Sequence, residues 1–135
     1  MSNNYYNKNN SENVTTMINV PLSKYYENKE EVFLPNGIAY NYAVNFKFIK
    51  SNQLRKILSF SKKCVTDDKE QFMVLRNKLF SLVWLSAYNA GRDRSNKPLY
   101  DFIKANINKD SIKSIDDINM FDELFTAIVA YHKSI

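Results

Sequence analysis

Leu79-Phe80-Ser81-Leu82-Val83-Trp84-Leu85-Ser86-Ala87-Tyr88 is apolar almost all round, and Asn89-Ala90-Gly91-Arg92-Asp93-Arg94 follows it. A helix apolar on every side is expected in the middle of a bundle. Gly91 reads as the C′ stop of that helix, and Trp84 as a core residue rather than a base-stacking platform. The helix is expected to start near Asp67-Asp68-Lys69-Glu70, a variant of the capping box with Asp67 three residues before Glu70. Beyond the glycine come alternating charges, so the segment fixes arginines at a rigid exit turn.

The neighbouring segments follow the same period. Val20 to Phe33 reads as a first helix, with Pro21 tolerated in its opening turn. Leu34-Pro35-Asn36-Gly37 is a break. Ile38 to about Phe48 is a second helix, with Ile38, Tyr42, Phe46 and Ile49 at helical spacing. Ser51 is expected to cap a third helix reaching Val65. On its wheel Leu54, Ile57, Leu58, Ser61, Cys64 and Val65 share one side, and Arg55, Lys56, Lys62 and Lys63 the other. Asn96-Lys97-Pro98 opens a fifth helix to about Ile107, and Ser114 or Asp116 caps a last one to about Lys133, striped by Ile118, Phe121, Leu124, Phe125, Ile128 and His132. No strand pattern or internal repeat emerges. The fold class is all-α, a compact helical bundle of five to six helices.

Composition agrees. The chain has 135 residues, enough for one core, with 44% hydrophobic residues but only two glycines and three prolines. Sandwiches and barrels spend Gly and Pro on frequent turns, so helices with few connections are favoured. The Asn-rich opening reads as a disordered start or as coding bias. Residues 1–18 are thus expected as a disordered tail and 19–135 as one helical domain. There is no signal-peptide pattern, and no run approaches the roughly 18 to 20 apolar residues of a membrane span. One cysteine excludes an intrachain disulfide. A cytoplasmic protein with no membrane role is expected.

Catalytic chemistry finds little to use. His132 is the sole histidine, so sites with paired imidazoles are excluded, and Cys64 has no second thiol. His132 lies on the apolar stripe near a helix end, where capping carbonyls or packing accounts for it. Asp67, Asp68, Glu70, Asp116 and Asp117 stand at helix starts, where they suit the helix dipole. No Gly-rich phosphate loop is present. The expectation is a protein that is not an enzyme and needs no cofactor or metal.

Charge is more telling. The net charge is +5, unevenly placed. Ser51 to Lys78 holds Arg55, Lys56, Lys62, Lys63, Lys69, Arg76 and Lys78 against Asp67, Asp68 and Glu70, net +4. Asp110 to Phe125 holds Lys113 against Asp110, Asp116, Asp117, Asp122 and Glu123, net −4. Two accounts stand: a solvated surface with dipole-matched acids, or one face for a polyanion and another for a basic neighbour. Candidate polyanion-binding residues are Arg55, Lys56, Lys62, Lys63, Arg76, Lys78, Arg92, Arg94 and Lys97. They could merge if the third and fourth helices pack side by side. Guanidinium forks suit phosphate, and nothing here reads base edges, so sequence-tolerant backbone binding is inferred. A basic face that meets acidic protein subunits instead is the alternative. A helix-turn-helix DNA regulator is a third reading, and it lacks the short glycine-bearing turn.

Four segments also carry a family resemblance. Lys78-Leu79 with Ala87-Tyr88-Asn89-Ala90-Gly91-Arg92 resembles the K-L…A-Y-x-A-G-R of the small helical subunit of type III-A CRISPR effector (Csm) complexes. Ala127-Ile128-Val129-Ala130-Tyr131-His132-Lys133 is similar to its closing A-L-V-A-Y-H-K. Leu99-Tyr100-Asp101-Phe102-Ile103 resembles its V-x-D-F helix, and Gln53-Leu54-Arg55-Lys56 its Q-L-R-K. The segments cover roughly Asn36 to Lys133 in the family's order; the first 35 residues match no pattern. The resemblance implies a non-catalytic antiviral-defence subunit that self-associates head to tail as a filament, or as a dimer. It contacts guide RNA and target RNA beside other subunits of the effector, which hold the nuclease activities. Arg55, Lys56, Lys78, Arg92 and His132-Lys133 match family positions, for which the resemblance implies an RNA-binding or motif-structural role. Lys133 so joins the candidate RNA-binding residues; Arg94, Lys97, Lys62 and Lys63 rest on charge alone. The filament would need complementary surfaces, for which the basic third helix and the acidic start of the last helix are expected to serve.

Overall fold

The computed structural model describes residues 16–135, and those residues form a bundle of α-helices. The tail expected at 1–18 falls mostly outside the described residues; Ile18 is buried and its N–H donates to the Ala105 carbonyl at 2.9 Å.

Helices α1 (Leu22–Tyr25) and α2 (Lys29–Phe33) replace the single first helix expected from Val20 to Phe33. The Asn28 side chain accepts the Glu31 N–H at 3.3 Å and starts a new helix where the old one was expected to continue. Helix α3 (Ile38–Asn45) begins at Gly37, whose N–H closes a turn on the Leu34 carbonyl at 2.9 Å. Asn36 supplies the left-handed residue of that turn, with φ of 69°. Helix α4 (Ser51–Lys62) takes in the expected cap Ser51 as its first residue, with Lys50 in the cap position, and stops before Val65.

A 3₁₀ turn, Lys69–Gln71, leads into α5 (Phe72–Arg92). Asp68 rather than Asp67 caps that turn, accepting the Glu70 N–H at 3.0 Å. Gly91 does not stop α5: it lies within the last helical turn and has no positive φ. The helix ends because Asp93 turns extended and its carboxylate caps a second 3₁₀ turn, Arg94–Asn96. Helix α6 (Lys97–Asn106) carries Pro98 in its first turn, as expected. Helix α7 (Ile115–Ser134) starts from a capping box of Ser114 and Asp117.

The central helix is α7, not α5. It carries nine buried residues against four on α5, and it packs on α1, α2, α3, α4 and α5. Phe121 and Phe125 stack at 5.9 Å between centroids, and Phe102 of α6 meets both, with Phe46 at 5.7 Å on its other side. All four rings are fully buried, which on transfer grounds stabilises the fold by about 1.5–3 kcal/mol each. The buried Asp117 carboxylate accepts the N–H groups of Ser23 (2.9 Å), Lys113 (2.8 Å) and Ser114 (3.0 Å), tying α1 to the start of α7.

Helix α5 lies at the edge. Leu79, Leu82, Ser86 and Ala90 face inward, while Trp84 is 64% and Tyr88 62% exposed. Trp84 is therefore not a core residue. The stretch Leu79–Tyr88 is apolar almost all round, yet α4 and α6 flank the helix and no element among the described residues covers its outer side. No helix of the described residues is long and apolar enough to cross a membrane.

Candidate nucleic-acid interface

The loop from α3 to α4 and the end of α5 meet at one end of the bundle. There Lys50, Asn52, Gln53 and Lys56 from the start of α4 face Asn89, Arg92, Asp93 and Asn96 across a cleft of about 360 Å³. The geometry follows from an αα-hairpin whose arms run back along each other. Lys78 of α5 sits over the Phe60 ring of α4 at 5.9 Å, and about four turns further along Arg92 reaches the cleft it shares with Lys50 and Lys56.

The cleft is lined by three cations, four amides and one acid. Asp93 offsets only part of that charge and forms no ion pair with any of the three. Its carboxylate accepts the Ser95 N–H at 3.0 Å and the Ser95 hydroxyl at 2.8 Å. Those hydrogen bonds hold its pKa below the usual carboxylate value, with Lys50 lowering it further. Nor do Lys50, Lys56 and Arg92 form an ion pair with any described residue. Backbone N–H groups at the start of α4 have no side-chain cap and add positive dipole to the same end. Cations, amide donors and a free helix start together suit a phosphate-bearing strand.

The remaining sequence candidates divide by what holds them. Arg55, Lys63, Arg94 and Lys133 are exposed and form no ion pair among the described residues. Residues seven apart share a helix face, so Lys56 and Lys63 form one row and Arg55 and Lys62 another. Lys62 is spent inside the molecule, 2.8 Å from Asp122 of α7. Lys97 pairs with Asp101 at 2.9 Å on α6. Arg76 is turned to the α6–α7 loop, where Nε donates to the Ile112 carbonyl at 2.6 Å and a terminal nitrogen to the Lys109 carbonyl at 3.0 Å.

The structure thus joins Lys56 with Arg92 and divides Lys62, Arg76 and Lys97 from them. Two cations escaped sequence reasoning: Lys50 in the cleft, and Lys47, whose ammonium sits over the exposed Phe48 ring at 5.2 Å. Both lie in the loop before Ser51, where the charge count began. His132 lies 3.1 Å from the Phe46 carbonyl and, since a carbonyl only accepts, donates from Nε2. It caps α3 rather than its own helix.

The acidic start of α7 is only partly free surface: Asp116 and Glu123 are exposed, the latter 3.9 Å from Lys29, but its other acids are held within the fold. Asp117 is buried under backbone N–H groups and Asp122 is held by Lys62 and the Ser61 hydroxyl. No group of three or more His, Cys, Asp or Glu that could hold a metal occurs among the described residues. A family model described as Csm2 Type III-A matches residues 29–135. No curated protein and no solved structure matches the chain.

Proposed function

This chain belongs to the Csm2 family of type III-A CRISPR effector subunits, and on that premise we propose that it is a non-catalytic RNA-backbone binder within the complex. Membership makes the other complex subunits its partners. The reading adds that the chain grips guide or target RNA by its phosphates, ignores base identity, and works in the cytoplasm.

The observation that carries it is the cleft in which Lys50, Lys56 and Arg92 converge unpaired. A subunit under a guide whose sequence changes must bind without reading bases, leaving sequence to guide–target pairing. Arg55, Lys63, Arg94 and Lys133 extend the cationic surface beyond the cleft. Lys62, Arg76 and Lys97 serve the fold first.

Head-to-tail stacking belongs to the same reading. Its acidic partner surface shifts from the start of α7 to α2 and the loop before it, where Glu30 and Glu31 of the helix and Glu27 of the loop are exposed. Heterologous contacts of unlike charge are what an open filament uses.

Filter binding of mixed-sequence RNAs to the chain and to a Lys50→Ala, Lys56→Ala, Arg92→Ala triple variant tests the proposal. Several sequences should bind alike. The variant should lower the slope of log affinity against log salt by about 2 for a single strand, with an unchanged circular dichroism spectrum. An unaltered slope would remove the cleft from RNA binding. A flat salt response alongside tight pairing to another subunit would favour the adaptor role.

A further inference from the structure

Trp84, Tyr88 and Arg92 succeed one another at four-residue intervals on α5, so they stand one above the next on one helix face. Both rings are more than three-fifths exposed, and the Arg92 guanidinium lies over the Tyr88 ring at 5.6 Å. Arg92 also lines the cationic cleft. The ladder therefore runs continuously from exposed aromatic faces to the phosphate-binding end of the molecule.

We propose that Trp84 and Tyr88 are a stacking platform for unpaired bases of the RNA whose phosphates the cleft holds. The inference rests on the RNA reading of the cleft and adds a class of nucleotide to it: single-stranded rather than paired.

Charge selects the occupant. From Phe72 to Arg92 the helix has no acidic residue, and Arg92 is its cation on this face, Arg76 being turned to the α6–α7 loop and Lys78 to the Phe60 ring. A second copy laid along this face would bring no acid of the helix to meet Arg92. A nucleotide strand brings planar faces for the rings and negative charge for the cations at once. Stacking is indifferent to base identity, because every base has a π-face, so the platform keeps the sequence tolerance of the cleft. Paired bases are already stacked within their duplex and offer the rings no face.

Trp84 is the only tryptophan of the chain, so its fluorescence reports this position alone. The full chain is titrated at low salt with a uridine homopolymer and with an abasic ribose–phosphate strand of equal length. The homopolymer should quench the emission and the abasic strand should bind without quenching. A Trp84→Ala, Tyr88→Ala variant should lose about tenfold in homopolymer affinity per ring removed and keep its affinity for the abasic strand. Trp84→Phe should retain most of the affinity.

Equal affinity for both strands, or emission that shifts with protein concentration alone, would overturn the platform; the second result would put another copy on this face. If neither strand binds, the RNA reading of the cleft fails first. If both bind equally, the cleft stands and only the platform falls.

Discussion

The Lys62 ammonium lies 2.8 Å from the Asp122 carboxylate, joining the basic helix α4 to the acidic helix α7 inside a single molecule. The opposite charges of α4 and α7 thus meet by folding, not by assembly. Asp122 also accepts from the buried Ser61 hydroxyl at 2.8 Å, while Lys62 has a second partner in the Thr126 hydroxyl at 2.9 Å.

The two partners should not be equally costly to lose. Asp122→Ala strands a buried hydroxyl and should destabilise by about 1–3 kcal/mol. Lys62 is half exposed, so Lys62→Ala should cost less than about 1 kcal/mol. Urea midpoints of the two variants give the comparison directly. Because its charge is already engaged, Lys62→Ala should also weaken RNA less than Lys56→Ala does.

Arg76 separates structural from ligand-binding cations. Its guanidinium satisfies the Ile112 and Lys109 carbonyls and covers the Phe80 ring at 4.7 Å. Arg76→Ala should destabilise by about 2 kcal/mol, and Arg76→Lys should recover little of it, since an ammonium cannot reproduce the planar fork. Thermal unfolding beside RNA affinity at fixed salt is the measurement. A stable Arg76→Ala variant with sharply reduced RNA affinity would contradict this assignment.

High pH should unfold the chain through α1. Tyr26 is buried and donates from its hydroxyl to the Asn106 side chain. Burial, with the neighbouring Tyr42 and Tyr25 adding to it, pushes the phenol far above its ordinary 10.0. Tyr42 is raised too, chiefly by burial. The folded chain holds these protons more tightly than the unfolded one. Stability is therefore full while the free phenol stays protonated and declines once the pH exceeds about 10. Urea midpoints should fall above that pH, and less steeply in Tyr26→Phe.

Much of this architecture was legible in one dimension, and the exceptions share a cause. Pro98 marked the start of α6 and Ser114, one of two caps expected there, the start of α7, because capping is local chemistry. The split between α1 and α2 was hidden because Asn28 sits in a chain where asparagine is common and carries little signal. Trp84 was misplaced because apolar composition reports what a helix could bury, not what its neighbours leave room to cover. Likewise Arg92 and Lys56 were visible as charges. Their convergence with Lys50, and the removal of Lys62 by an acid 60 positions away, depend on tertiary packing that no period records.

Gly37 and Gly91 should respond in opposite directions to the same substitution. A Cβ on Gly37 would collide with the Glu31 carbonyl oxygen and approach that of Leu34 to 2.8 Å. Both are backbone atoms of the turn that holds α2 against α3, so neither can swing aside. Gly37→Ala should destabilise by about 1–3 kcal/mol. A Cβ on Gly91 meets nothing within 4 Å, and the residue is helical. Gly91→Ala should therefore stabilise by about 0.5–1 kcal/mol, by restricting the unfolded chain and favouring the last turn of α5. Paired denaturant titrations decide the matter. A destabilised Gly91→Ala variant would mean that Gly91 ends α5 after all, which would also loosen Arg92 from its place over Tyr88.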